Sequence, residues 1–166
     1  MGFFWSKPTE MSKSLLDTHY EHIFCTADIL LVRASPLEEI MNDDSWSHVA
    51  IIVSKNNRLM AFSDGHLSPI NEWICHHAEV FVRHCKHVRP LGFDGQILKA
   101  AKRTSELLLR NEMDIRQREG FCVGSVLVSL GFISSYSLAA MKPDHFSSTS
   151  PFNRLQTTKY SNNMVI

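Results

Sequence analysis

Four apolar runs that read as strands lie between positions 23 and 89, and the patterns after them read as helices. This order constrains the fold more than any single motif. Strands first and helices after imply an α+β domain built on a small antiparallel sheet packed against helices. The run IFCTADILLVRA predicts a buried strand near Asp28–Arg33. Ser35-Pro36-Leu37-Glu38 reads as a helix start, with Ser at the cap, Pro in the first turn and Glu three residues on. HVAIIVS (48–54) is a second strand, Lys55-Asn56-Asn57 a turn, and Arg58–Ser63 a third strand pairing back as a hairpin. Ser68–Trp73 suggests a short helix or turn. Glu79–Arg89 is expected as a fourth strand, with Val80 and Val82 on one side and Phe81 on the other. Asp94 can cap a long helix reaching about Arg110, whose apolar stripe holds Ile97, Leu98 and Ala101. A further helix over Val123–Leu130 is entered through Gly120-Phe121-Cys122, and Pro143-Asp144 begins another helical turn.

The 166 residues suit one core. Residues 1–20 read as a peripheral arm, 21–150 as the domain, and 151–166, rich in Ser and Asn, as a loosely held tail. Seventeen basic residues offset seventeen acidic ones, so no nucleic-acid partner is expected. No apolar stretch is long enough to cross a bilayer, and the start MGFFWSKPTE offers no secretory leader. The expected location is therefore cytoplasmic, or peripheral on a membrane. Met1-Gly2-Phe3-Phe4-Trp5-Ser6 has the outline of a myristoylation site, although the bulky Phe3 fits it poorly. Phe3, Phe4 and Trp5 offer a peripheral membrane contact even without lipid.

Cys122 is the most informative of the four cysteines. It lies where a loop enters an apolar helix, so unpaired backbone N–H groups and the helix dipole favour its thiolate. The same N–H groups suit an oxyanion. His48 opens an apolar strand whose Val49, Ile51 and Val53 pack away from it, leaving an imidazole free to take a thiol proton. A buried structural cysteine and a sheet-edge histidine are the bland alternatives. Five of the nine histidines fall between positions 66 and 87, and Cys75, His77, Cys85 and His87 form an N2S2 set that zinc would accept. Their spacing matches no standard zinc pattern, and surface or sheet-edge histidines explain the cluster equally well. No metal and no cofactor is expected.

Asp28-Ile29-Leu30-Leu31-Val32, then Trp46-Ser47-His48-Val49-Ala50-Ile51-Ile52-Val53, then Phe121-Cys122 heading Val126–Gly131, resemble the permuted papain-like cysteine hydrolases. These form the YiiX-like branch of the NlpC-type superfamily, with lecithin:retinol acyltransferase-like enzymes and several poxvirus proteins as relatives. The strand ending Val88-Arg89 and the late Lys142-Pro143-Asp144-His145-Phe146 also look like family features, and the resemblance spans about residues 26–150. It implies a circularly permuted papain-like fold in which histidine precedes the cysteine nucleophile. It also implies a thiol hydrolase or acyltransferase acting on an amide, ester or thioester of a lipid or peptide.

On this reading Cys122 and His48 are the catalytic pair, Trp46, Ser47 and Phe121 line the substrate groove, and Asp28 holds a turn near it. Two departures stand out. Val123-Gly124-Ser125 follows the cysteine where relatives place Ser-Glu. Met60-Ala61-Phe62 stands where they place Glu or a second His. Ser63, Asp64 and His66 are then the candidates for a third member, with Asp64 favoured because a carboxylate best orients an imidazole. The alternative is an inactive papain-like domain serving as a binding module.

Overall fold

The computed structural model describes residues 22–42, 45–63, 66–77, 79–86, 91–109, 143–151, 153, 155 and 159–166. The elements are β1 (Ile29–Arg33), α1 (Pro36–Asn42), β2 (Trp46–Lys55), β3 (Arg58–Ser63), β4 (His66–Pro69), α2 (Ile70–Cys75), β5 (Val80–Arg83), α3 (Phe93–Leu109), a 3₁₀ turn (Pro143–Phe146) and β6 (Met164–Val165). Among the described residues, the six strands form one antiparallel sheet in the order β4-β3-β2-β1-β5-β6. The expected α+β architecture is therefore present, with the hairpin 48–63 where the sequence puts it. Asn56 and Asn57 make its two-residue turn with φ of 53° and 60°. Asn tolerates that left-handed backbone better than most residues, which is why two of them sit here.

Both faces of the sheet are covered, which explains why β1 and β2 read as continuous apolar runs rather than as alternating strands. On one face, Ile29, Leu31, Val49, Ile51, Val53, Phe62 and Phe81 pack with Phe93, Ile97 and Ala101 of α3 and with Phe146, Leu155 and Tyr160. On the other, Leu30, Val32, Ala50, Ile52, Ala61, Val80 and Val82 meet Phe24 and Ile70, Trp73 and Ile74 of α2. Val80 and Val82 thus oppose Phe81, as strand alternation requires. These are the α3 side and the α2 side of the sheet.

Two expectations need correction. Regular pairing of the fourth strand stops at Arg83, and only a bridge between Cys85 and Tyr160 follows within the described residues. The described residues of the expected loose tail, 159–166 above all, are tied to the sheet. β6 pairs with β5, Tyr160 is buried with its hydroxyl donating to the Ala27 carbonyl at 3.0 Å, and Ser161 and His84 exchange two hydrogen bonds. Its Ser and Asn side chains resemble a solvated tail in composition. In the fold they satisfy backbone groups: Asn163 and Ser148 bond reciprocally at 2.8 and 3.0 Å, each side chain accepting the other's N–H. Residues 1–20, with the aromatic tip, lie outside the described residues.

Candidate active site

The environment of His48 starts with a break in strand periodicity. In a regular strand Trp46 and His48, two residues apart, share a face. Here Arg33 pairs with Trp46 and Val32 with His48, so Ser47 is an extra residue, a β-bulge. Trp46 consequently goes to the α3 side, where its indole is 2% exposed, meets Phe81 edge-on at 5.2 Å and lies under the Arg33 guanidinium at 5.0 Å. The groove role expected for Trp46 does not hold, because this ring is core. Ser47 is exposed, and its hydroxyl lies 3.5 Å from the Val32 carbonyl.

His48 turns to the α2 side and is half-buried. The Trp73 ring stands edge-on to it at 6.3 Å, and His77 lies 5.4 Å away, itself 4.5 Å from Trp73. Trp73 is fixed by burial on the last turn of α2, and His77 by its N–H bond to the Ile74 carbonyl. Burial, reinforced by the charge of a protonated His48 and of His76, holds His77 below the ordinary imidazole value. A histidine whose folded pKa is depressed binds its proton more readily when unfolded. Its contribution is therefore present above pH 6.5 and is lost as pH falls below it. The urea midpoint of the wild type should accordingly fall more steeply than that of His77→Asn on going from pH 7.5 to 5.5. Parallel pH profiles would remove this role.

Cys122, Phe121 and Asp64 lie outside the described residues. The other third-member candidates are placed. Ser63 is buried and donates its hydroxyl to the Val49 carbonyl at 2.9 Å. His66 opens β4, with β3 between it and β2. Ala61 and Phe62 are fully buried in opposite faces.

Asp28 holds a turn at the end of β1 away from His48, not beside the His48 ring. Its carbonyl accepts from Ile52, four positions from His48 and about 13 Å away at roughly 3.3 Å per residue. The carboxylate is 1% exposed. One oxygen accepts the Cys85 N–H at 2.8 Å; the other accepts the Cys25 N–H and meets His84 Nδ1, both at 2.9 Å. An ionised carboxylate only accepts, so Nδ1 of His84 carries the proton. This cluster pins the turn in which Ala27 has φ 74°.

The three described members of the zinc set lie in different settings. Cys85 lies in the α3-side core beside Tyr160, Cys75 is exposed at the end of α2, His77 stacks on Trp73, and His87 is outside the described residues. Among the described residues no group of three or more His, Cys, Asp or Glu is placed to hold a metal ion. Nor is any helix among them long and apolar enough to cross a membrane.

The described residues form a six-stranded antiparallel sheet with the His48-bearing strand beside β1 and helices over both faces, an α+β arrangement. Comparison with solved structures gives the same class. The chain is similar to the metalloprotein yiiX from Escherichia coli O157:H7 (DUF1105), with a TM-score of 0.51 and 16% identity, covering 86% of this chain and 96% of that one. At this identity the likeness shows a shared YiiX-type fold. No family model matches the sequence. No curated protein matches it either.

Proposed function

We propose that this chain is a thiol hydrolase or acyltransferase in which His48 activates Cys122. The observation that carries the reading is the setting of His48: a bulge takes its ring out of the α3-side core, half-buried, onto Trp73 and His77, in a fold of the YiiX type. In the proposed cycle the Cys122 proton passes to the imidazole, and the thiolate adds to an amide, ester or thioester carbonyl. Backbone N–H groups of the helix start that the sequence predicts at Cys122 would hold the oxyanion. The leaving amine, alcohol or thiol departs with the proton from His48, leaving an acyl-thioester. Water or an acceptor, deprotonated by His48, then releases the acyl group and the thiol. The substrate is an acyl-bearing lipid or peptide; Phe3, Phe4 and Trp5 would bring the protein to a membrane surface if it is lipid.

An electrophilic thiol probe tests this directly. Site-resolved labelling should favour Cys122 over Cys25, Cys75 and Cys85, and the preference should weaken in His48→Asn. Equal labelling of all four thiols would remove the catalytic reading and leave the binding module, which the buried apolar Ala61 and Phe62 favour. Asp64 is the proposed orienting carboxylate. Asp64→Asn should lower turnover by roughly 10–10⁴-fold, the upper value being the cost of a wrong tautomer in a fully engaged triad. An unchanged rate with an unchanged pH profile would leave a Cys122–His48 dyad.

A further inference from the structure

The backbone just before the bulge that aims His48 is bonded to a distant part of the chain. The carboxylate of Asp144 faces the backbone N–H groups of Ser45 and Trp46, accepting at 3.3 Å through one oxygen and 3.2 Å through the other. The second of these bonds spans 98 residues. It binds the entry of β2 to the 3₁₀ turn Pro143–Phe146, whose own place is fixed twice over. Phe146 is fully buried in the α3-side core, and its carbonyl accepts from Arg83 at 3.0 Å.

Just beyond Trp46, the pairing with β1 shifts register at Ser47. Without that shift, period-2 alternation would put His48 and Trp46 on one face, and one of the two rings would have to leave its place. Trp46 is held by Phe81 and Arg33, so His48 is the ring that would lose its contacts. We infer that Asp144 is a positioning residue for His48: its carboxylate clamps the Ser45 and Trp46 N–H groups and so maintains the bulge that presents His48 to Trp73 and His77. The catalytic consequence rests on the function proposed above; the geometric claim does not.

The test is Asp144→Ala, read by the ring-proton NMR signals of His48, assigned by comparison with His48→Asn. Edge-on contact with Trp73 leaves a ring-current shift on those signals. In Asp144→Ala they should move toward the values of an unrestrained histidine, while the remaining β-sheet amides keep their shifts. The His48-dependent part of Cys122 labelling should fall by about 10–100-fold, the scale of an ångström-level misplacement of a reacting group. Asp144→Asn keeps one acceptor but turns an NH2 group toward the other N–H, so it should restore part of both signals.

Should Asp144→Ala fail to fold, Asp144→Asn carries the measurement with a smaller displacement expected. Wild-type His48 signals in the folded variant overturn the inference. If Cys122 is unreactive even in the wild type, the hydrolase reading falls, and the His48 signals still decide the role of Asp144.

Discussion

Cys122→Ala and His48→Ala should each reduce turnover of a model ester or thioester by roughly 10⁵–10⁶-fold, and the double variant should be no slower than either. Non-additivity of this kind marks a nucleophile and base that act as one unit, since removing either leaves the other without a task. The His48 change should leave the fold in place: His48 is half-buried, and the β1–β2 pairing runs through backbone groups. Unchanged circular dichroism and urea midpoints should therefore accompany the loss. Multiplicative effects in the double variant would show that the residues act separately and would contradict the proposed pair.

The second large effect concerns stability. Arg83 is fully buried and has no carboxylate partner among the described residues. Its Nε donates to the Ser161 carbonyl at 2.7 Å. Nη1 donates to the Phe146 carbonyl at 3.0 Å and to Asn153 Oδ1 at 2.9 Å, while Nη2 is buried without a partner among the described residues. Burial lowers its pKa to about 10, partly opposed by Tyr160, so it is charged at neutral pH. The guanidinium thus fastens three points of the 146–161 segment to β5.

Arg83→Ala removes these bonds and opens a cavity, against which only the relief of a buried charge counts in its favour. The expected net cost is about 2–4 kcal/mol, given roughly 1.5–3 kcal/mol for a bond to a charged donor and 2–5 kcal/mol for truncating a large buried side chain. Arg83→Met keeps most of the volume and should cost less. Both variants should show a lowered urea midpoint and earlier proteolysis within 151–166. An unchanged midpoint in Arg83→Ala would mean that the segment is held by its own Ser and Asn network.

Much of the sheet was legible because local chemistry and tertiary need agree there. Ile29–Val32 and Val49–Val53 are apolar throughout because both their faces are covered, and Asn56-Asn57 specifies a turn that the register then uses. The aim of His48 was only half legible. Its distance from the packing of Val49, Ile51 and Val53 follows from alternation, but the opposite fates of Trp46 and His48 do not. A bulge at Ser47 depends on the Asp144 carboxylate, which no local window contains. Trp46 was misplaced in the groove for the same reason.

His77 and Trp73 escaped notice as neighbours of His48 because a six-residue helix, α2, brings them there. The spacing of Trp73 and His77, four positions on a helical turn, was the available signal. The anchoring of 151–166 was hidden because Arg83, read as an ordinary strand residue, proved to be its buried receptor.

The most direct test of the account is the distance from the Cys122 sulfur to the His48 ring in an experimental structure of the full chain. The proposed mechanism predicts an approach within about 4 Å, allowing for the looser contacts of a resting site. A Cys122 sulfur on the α3 side of the sheet, with β1 and β2 between it and the His48 ring, would contradict it.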